Sequence, residues 1–473
     1  MNDSEKSAPK PKNILKFVGI SLVGIFLFLA PIPDGSGAFN IPLGIAIDWV
    51  NDNIFTAATV AVGTGSPEAI GGAGNLHIHH LIGLIAITIS LLGTILVYTV
   101  KPKFIMNNET ARTIFKCSPV YFVTKIVAFV FIWMIFLNIG PDFIIASYTG
   151  DVIIGLVAAL VTIFIFLVPA MPLITDFGLM EFIGILIRKA VRVLFTLPGR
   201  ASVDLMASWF GSSVASVIIT RGQHERGYYT GREAASIAVN FSFVSLPFTF
   251  VVVRTIGLYE HFFLFLGAVY AICLILAIVM PRLPPLSRLP DEYLEGVGKQ
   301  INEDVPLDMS TAQWAVASAY SQASKTTAKG IARGAAKNYF GIFMDLLPTV
   351  MAWGTLGVIL VEFTPIFNWI GYPFGLLMEL MRVPEAMAFA HITVVGFIDM
   401  FLPALMLGGA PLQTQFILGV LSIVQIIYLA ETGVLIIKSK MPLNIGHLAI
   451  IFAMRTLIAL PLIVLFARIF FRA

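Results

Sequence analysis

The chain has 473 residues, 58% of them hydrophobic and only 12% charged, with a formal net charge of +3. A soluble domain carries about a quarter charged residues, so the composition excludes one, and the small positive surplus gives no nucleic-acid signature. Apolar stretches of about 20 residues recur along the whole chain, the pattern of a helical membrane bundle and not of a barrel.

Residues 1–13, MNDSEKSAPKPKN, are polar and Lys-rich and predict a disordered cytoplasmic tail. The apolar run after it lacks a small-residue cleavage site, which predicts a retained signal-anchor helix over 14–31. Eight further spans are predicted at about 76–100, 119–140, 152–174, 233–256, 260–281, 338–361, 415–437 and 445–470, nine in all. Lys and Arg in short loops orient them. Lys6, Lys10, Lys12 and Lys16 put the N-terminus inside. The stretch 32–75 holds Asp34, Asp48, Asp52 and Glu68 but no Lys or Arg, so it is expected outside, where 40–72 forms a lid or a shallow re-entrant piece. Lys101, Lys103, Arg112 and Lys116 mark an inside loop, 141–151 an outside one, and Arg188, Lys189, Arg192 and Arg200 an inside segment.

The next stretch, DLMASWFGSSVASVIITRGQHERGYY from Asp204 to Tyr229, is apolar at first, yet Gly211-Ser212-Ser213 interrupts it. If it spanned, Arg221, Arg226, Arg232 and the polar loop 282–337 would all move outside. A hairpin over 201–220, turning near Gly211–Ser213, keeps them inside and keeps the charge rule. Gly and Ser are weak helix formers, which suits a break. A single Gly-containing span is the competing reading.

The second half repeats the order: span, amphipathic stretch 366–382, interrupted segment 385–409, two spans. The segment EAMAFAHITVVGFIDMFLPALMLGG carries Gly396, Asp399 and Pro403 and is predicted to enter from outside, with Lys438 and Lys440 returning inside. Arg468 and Arg472 would then face outside, against the charge rule. The predicted fold is thus an all-α polytopic membrane protein with about nine transmembrane helices and two re-entrant helical hairpins in an inverted-topology repeat. Its segments are the tail 1–13, an N-terminal scaffold 14–150, repeat 1 over 151–281, a cytoplasmic linker 282–337 and repeat 2 over 338–473. Within the linker, SAYSQASKTTAKGIARGAAKN reads as a small-residue, basic helix lying along the inner surface.

Interrupted helices at membrane depth leave backbone N–H and C=O groups unpaired, and such backbone is tolerated only when buried in protein or lining a wet cavity. Their ends can bind a polar solute or an ion. Ser208, Ser212, Ser213 and Ser216 surround the first break, where they either meet a solute or let helices pack closely. Asp399 and Glu431 lie within apolar runs, at a cost of about 2.5–3.5 kcal/mol each on insertion scales, and are the candidate ion-coupling acids. A structural alternative pairs Glu431 with Arg455. Asn240 and Ser242 in one span and Gln425 and Thr432 in another complete the substrate-binding candidates. His391 is expected to be packed, and the cluster His77, His79 and His80 to cap a span at the interface, although imidazoles also bind metals. Cys117 and Cys273 give no disulfide or metal framework. There is no phosphate loop, no HExxH and no catalytic triad, so no catalytic residue, metal site or cofactor is expected.

Two stretches resemble a known family. LPGRASVDLMASWFGSSVASVIITRGQHERGYYTGREAASIAVNFSFVSL and YLAETGVLIIKSKMPLNIGHLAIIFAMRTLIALPL are similar to the signatures of YjiH-type membrane proteins, which carry a Gate, or nucleoside-recognition, domain. The same domain name covers parts of concentrative nucleoside transporters and of the FeoB ferrous-iron transporter. The resemblance implies a transporter of the bacterial inner membrane with paired hairpins. The expected function is secondary transport of a small polar solute (a nucleoside, amino acid or dipeptide) with Na+ or H+. The alternatives are a divalent metal-ion permease and a non-transporting Gate module that works with a second membrane chain. The expected partners are the solute, the ion, the lipid bilayer and either a second copy of the chain or a second Gate-type protein.

Overall fold

The computed structural model of the protein describes residues 11–33, 39–55, 59–61, 75–211, 213–299, 309–437 and 439–471. Residues 1–10 of the predicted disordered tail, and 56–58 and 62–72 of the predicted external stretch, therefore lie outside the described residues, while 11–13 begin a helix. Among those that are described, strands are confined to two antiparallel ribbons, Ile32–Pro33 with Phe39–Asn40 and Thr59–Ala61 with Asn75–His77.

Six helices among the described residues are long and apolar enough to cross a membrane: Ile78–Thr99, Pro119–Leu137, Asp142–Thr175, Tyr259–Arg288, Lys329–Leu360 and Ile445–Phe470. Each overlaps a predicted span. The other three predicted spans fall short, for two reasons. The N-terminal helix Pro11–Leu29 is represented among the described residues by the shorter apolar stretch Leu15–Leu29. The predicted spans 233–256 and 415–437 are each broken in the middle.

The first broken helix starts at Gly231 behind a capping box of Thr230 and Glu233 and stops at Asn240. A second half, Leu246–Thr255, follows an irregular stretch. Pro247 stands in the first turn of that half. Proline has no N–H and its ring crowds the carbonyl four residues back, which favours a break before it. Ser245 is instead extended, at φ −62 and ψ 151. The second broken helix runs from Leu412 to Val424, leaves helical geometry at Ile426 and resumes in the wide turn Leu429–Gly433 and the short helix Val434–Ile437. Ile426 sits at φ +64, a left-handed conformation that a β-branched residue adopts only under constraint.

The chain also doubles back within 201–225. The helix Ala201–Met206, the wide turn Ala207–Gly211 and the helix Ser213–Glu225 follow in order. Thr220 Oγ1 donates to Asp204 Oδ1 at 2.5 Å across sixteen residues. A straight helix would separate the two by about 24 Å, so the direction reverses between them. The second interrupted segment is less regular, with only the short helices Ile392–Val395 and Leu402–Met406 inside it.

By contact the chain forms two compact units. The first comprises Met1–Asn40, Met171–Thr327 and Phe367–Ala473, and the second Ile41–Ala170 and Ala328–Ile366. The opening helices of both predicted repeats, Val152–Ala170 and Leu347–Phe363, thus belong to the second unit together with residues 41–150 of the N-terminal scaffold. In that unit continuous helices pack closely: a Cβ on Gly83 would stand 2.6 Å from Val157 Cγ1. The first unit holds both broken helices and both interrupted segments. There the linker helix Thr311–Lys325 buries Ala315, Ala319 and Ala323, four residues apart on one face. Phe17, Phe182 and Tyr320 pack around Ala319 and Ala323. The small residues of the linker helix seat it between the N-terminal helix and the helix Leu179–Phe195, and the predicted single basic helix is two, Thr311–Lys325 and Ala328–Gly341.

Candidate functional site

The two broken helices meet at Arg455, on the unbroken helix Ile445–Phe470. The side chain is completely buried. Its Nε and Nη2 donate to Val424 O at 3.1 and 2.7 Å. Nη1 donates to Val239 O at 3.2 Å and to Asn240 Oδ1 at 2.7 Å. Val239 and Val424 stand at the ends of the first halves of the two broken helices. The last carbonyls of a helix have no partner within it and carry the negative end of its dipole. One guanidinium therefore satisfies orphan acceptors from two helices at once.

Neighbouring polar groups extend the contact. Gln425 Nε2 donates to Thr456 Oγ1 at 2.8 Å and to Thr393 O at 2.7 Å, so the second break is tied to the helix of Arg455 and to the second interrupted segment. Leu429 N donates to Phe397 O at 2.9 Å in the same direction. The first break is tied to its own hairpin: Ser208 Oγ donates to Phe243 O at 2.5 Å, and the Trp209 ring stacks on Phe243 with centroids 5.8 Å apart. Each interrupted segment is thus bonded to the break that follows it in sequence. Gly396 permits the second contact, because a Cβ there would run into Gln425 Oε1. That oxygen is buried and has no hydrogen-bond partner among the described residues.

The expected site residues divide accordingly. Asn240 and Gln425 are brought together around Arg455 and Thr456. Asn240 has both amide atoms committed, since its Nδ2 donates to Ser236 O at 2.9 Å. Ser242 donates to Ala238 O at 2.7 Å and finishes its own helix end. Thr432 Oγ1 accepts from Tyr428 N at 3.3 Å and lies 3.2 Å from Ile426 O, so it stitches the second break. Ser213 is buried. Ser212 and the side chain of Glu431 lie outside the described residues. The backbone at Glu431 belongs to the wide turn after Tyr428. The described acceptors of Arg455 are Asn240 and two carbonyls, and the alternative pairing with Glu431 falls on a side chain outside the described residues. Asp399 is buried, and its Oδ1 accepts from Phe401 N at 2.8 Å, a local turn just ahead of the short helix Leu402–Met406.

Two buried charges were not singled out in the sequence. Asp204 is fully buried and its Oδ2 accepts from Tyr229 Oη at 2.6 Å, opposite Thr220 on Oδ1. Its position in the apolar run VDLMASWF was the available signal. Lys125, inside the helix Pro119–Leu137, pairs with Asp345 at 3.3 Å and donates to Ile114 O at 3.0 Å. His77, His79 and His80 cluster with ring centroids 4.5–5.7 Å apart. Among the described residues no group of three or more His, Cys, Asp or Glu is arranged to hold a metal ion.

A family model described as Gate, nucleoside recognition, matches residues 123–259, which include the first hairpin and the first break. A protein of Alkalihalophilus pseudofirmus, itself described as uncharacterized, is 42% identical over 462 residues, covering 97% of this chain and 95% of its own length. The chain belongs to that protein's family and carries a Gate domain. The resemblance to Gate proteins read from the sequence is therefore shown, while the YjiH subtype is not established by these matches. No solved structure matches the chain. With its apolar helices, the Gate domain makes this a multi-pass membrane protein of transporter type.

Proposed function

We propose that this Gate protein is a secondary transporter of the bacterial inner membrane, with a cytoplasmic N-terminus. It moves a nucleoside, amino acid or dipeptide by alternating access, coupled to Na+ or H+. Repeat 1 (151–281) and repeat 2 (338–473) have opposite orientations, and their hairpins enter the bilayer from opposite faces. The observation that carries the reading is the convergence of two broken helices on one polar cluster. Discontinuous helices near the midplane are how secondary transporters build substrate and ion sites. Irregular backbone at that depth is tolerated only where protein or a cavity surrounds it.

Ser212, Ser213, Asn240, Ser242, Gln425 and Thr432 border the site. Gln425 Oε1, a buried acceptor without a described partner, is the group a solute N–H or O–H meets. Glu431, with Asp399 as the alternative, couples to the cation. A divalent metal permease is the second reading; the cluster of His77, His79 and His80 is not arranged to hold a metal ion among the described residues.

The test begins with thermal unfolding of the purified protein against nucleosides, amino acids, dipeptides and divalent metals, since a ligand that binds the folded form raises its stability. Uptake of the stabilising compound into proteoliposomes follows. Transport of one organic class, lost in Glu431→Gln and Gln425→Leu, is the expected result. Stabilisation and uptake by metals alone, lost in His77→Ala/His80→Ala, would replace it with the second reading. Transport that appears only with a second Gate-type chain would make the protein one half of a complex.

A further inference from the structure

We propose that Arg455 is a tethered cation, seated where a free Na+ would otherwise bind, and that removing its guanidinium converts the junction of the two broken helices into a monovalent-cation site. The inference deepens the transporter reading on one point, the coupling ion. Its binding test does not depend on transport.

The seat is made of oxygen. Val424 O, Val239 O and Asn240 Oδ1 converge on one guanidinium at 2.7–3.2 Å. Half-helix C-terminal ends and unwound carbonyls are the groups that coordinate Na+ in discontinuous transporter helices. Each helix end carries a partial charge of about −0.5, so two together offset about one positive charge. Among the described side chains no carboxylate lies within ion-pair distance of Arg455, and its exposure is 0%. The helix ends, rather than a described acid, are what makes this buried cation tolerable. The same field would favour any small cation that took its place.

Two consequences follow. The wild-type junction binds no free Na+ at these carbonyls, so a coupling ion must act elsewhere, at Glu431 or Asp399. Arg455→Ala keeps the three oxygens, since two are backbone and Asn240 is untouched, and opens space between them.

The experiment is thermal unfolding of the full-length protein in detergent, in choline chloride exchanged stepwise for NaCl, LiCl or KCl at constant ionic strength. Arg455→Ala is expected to melt well below wild type in choline. It should recover several degrees, saturably, with one of the small cations. With Glu431→Gln and Asp399→Asn removing the other candidate ion sites, the protein that keeps Arg455 should show no cation-specific shift. In Arg455→Ala/Asn240→Ala the recovery should weaken, because one ligand is gone. An equal response of Arg455→Ala to choline and to every alkali cation would overturn the proposal, and so would a saturable Na+-specific shift of Glu431→Gln/Asp399→Asn with Arg455 in place. If Arg455→Ala can be purified only when NaCl is present, that is the same rescue read as yield. If it cannot be recovered in any salt, Glu431→Gln/Asp399→Asn decides: Na+-specific stabilisation there refutes the inference and its absence upholds it. A chain that transports nothing would leave all of these melting results unchanged, so the two readings fail separately.

Discussion

The two units each bury a cation, and they neutralise it differently. In the unit of continuous helices, Lys125 is 1% exposed and pairs with a carboxylate, Asp345, whose side chain is 44% exposed. In the unit of broken helices, Arg455 is fully buried and its described acceptors are two carbonyls and an amide. Lys125 also reaches one helix-end carbonyl, Ile114 O at 3.0 Å, and an acid supplies the rest. A broken helix exposes carbonyls at membrane depth and can hold a charge without one. The breaks are therefore what makes this unit able to carry a charge, and in the proposed transporter able to bind a polar solute.

Substitutions should separate the two arrangements by size of effect. Arg455→Ala, unfolded by heat or denaturant in choline chloride, should lose the most, about 3–5 kcal/mol, because buried partners are left uncompensated. Gln425→Leu should follow at about 1–3 kcal/mol, since Thr393 O and Thr456 Oγ1 lose their donor in a buried place. Gly396→Ala should cost about 1–3 kcal/mol through overpacking against the same amide. If the loss on Gly396→Ala disappeared in a Gln425→Ala background, that contact would be the cause. Asp345→Asn should be mildest, about 1 kcal/mol, because the acid is partly solvated and Lys125 keeps its bond to Ile114 O. A reversal of this order, with Asp345→Asn above Arg455→Ala, would remove the distinction between the units.

How much of this the sequence disclosed depends on the kind of group. Polar side chains inside apolar runs stand out, so Asn240, Gln425, Thr432 and Arg455 were all legible, and all four take part in holding the two breaks. The acceptors of Arg455 were not legible, because every residue has a carbonyl and only the place where a helix stops makes one available. The first stop had a signal in Pro247, which the hydropathy of 233–256 hides. The second had none: Gln-Ile-Ile-Tyr between Val424 and Leu429 contains no Gly or Pro, and Ile426 takes a left-handed conformation that its type disfavours. Asp204 was overlooked although it too is an acid in an apolar run. Asp399 was noticed for its burial, but a sequence cannot show that the carboxylate accepts from its own chain at Phe401.

The most direct test is a double-mutant cycle on unfolding in choline chloride, with Asn240→Ala on the first broken helix and Arg455→Ala on the helix bonded to the second. The two residues touch at 2.7 Å through a charged donor. Such a contact predicts a coupling of about 1.5–3 kcal/mol. Losses that simply add, within about 0.3–0.5 kcal/mol, would mean that Arg455 does not join the two broken helices, and the account of the site would fail.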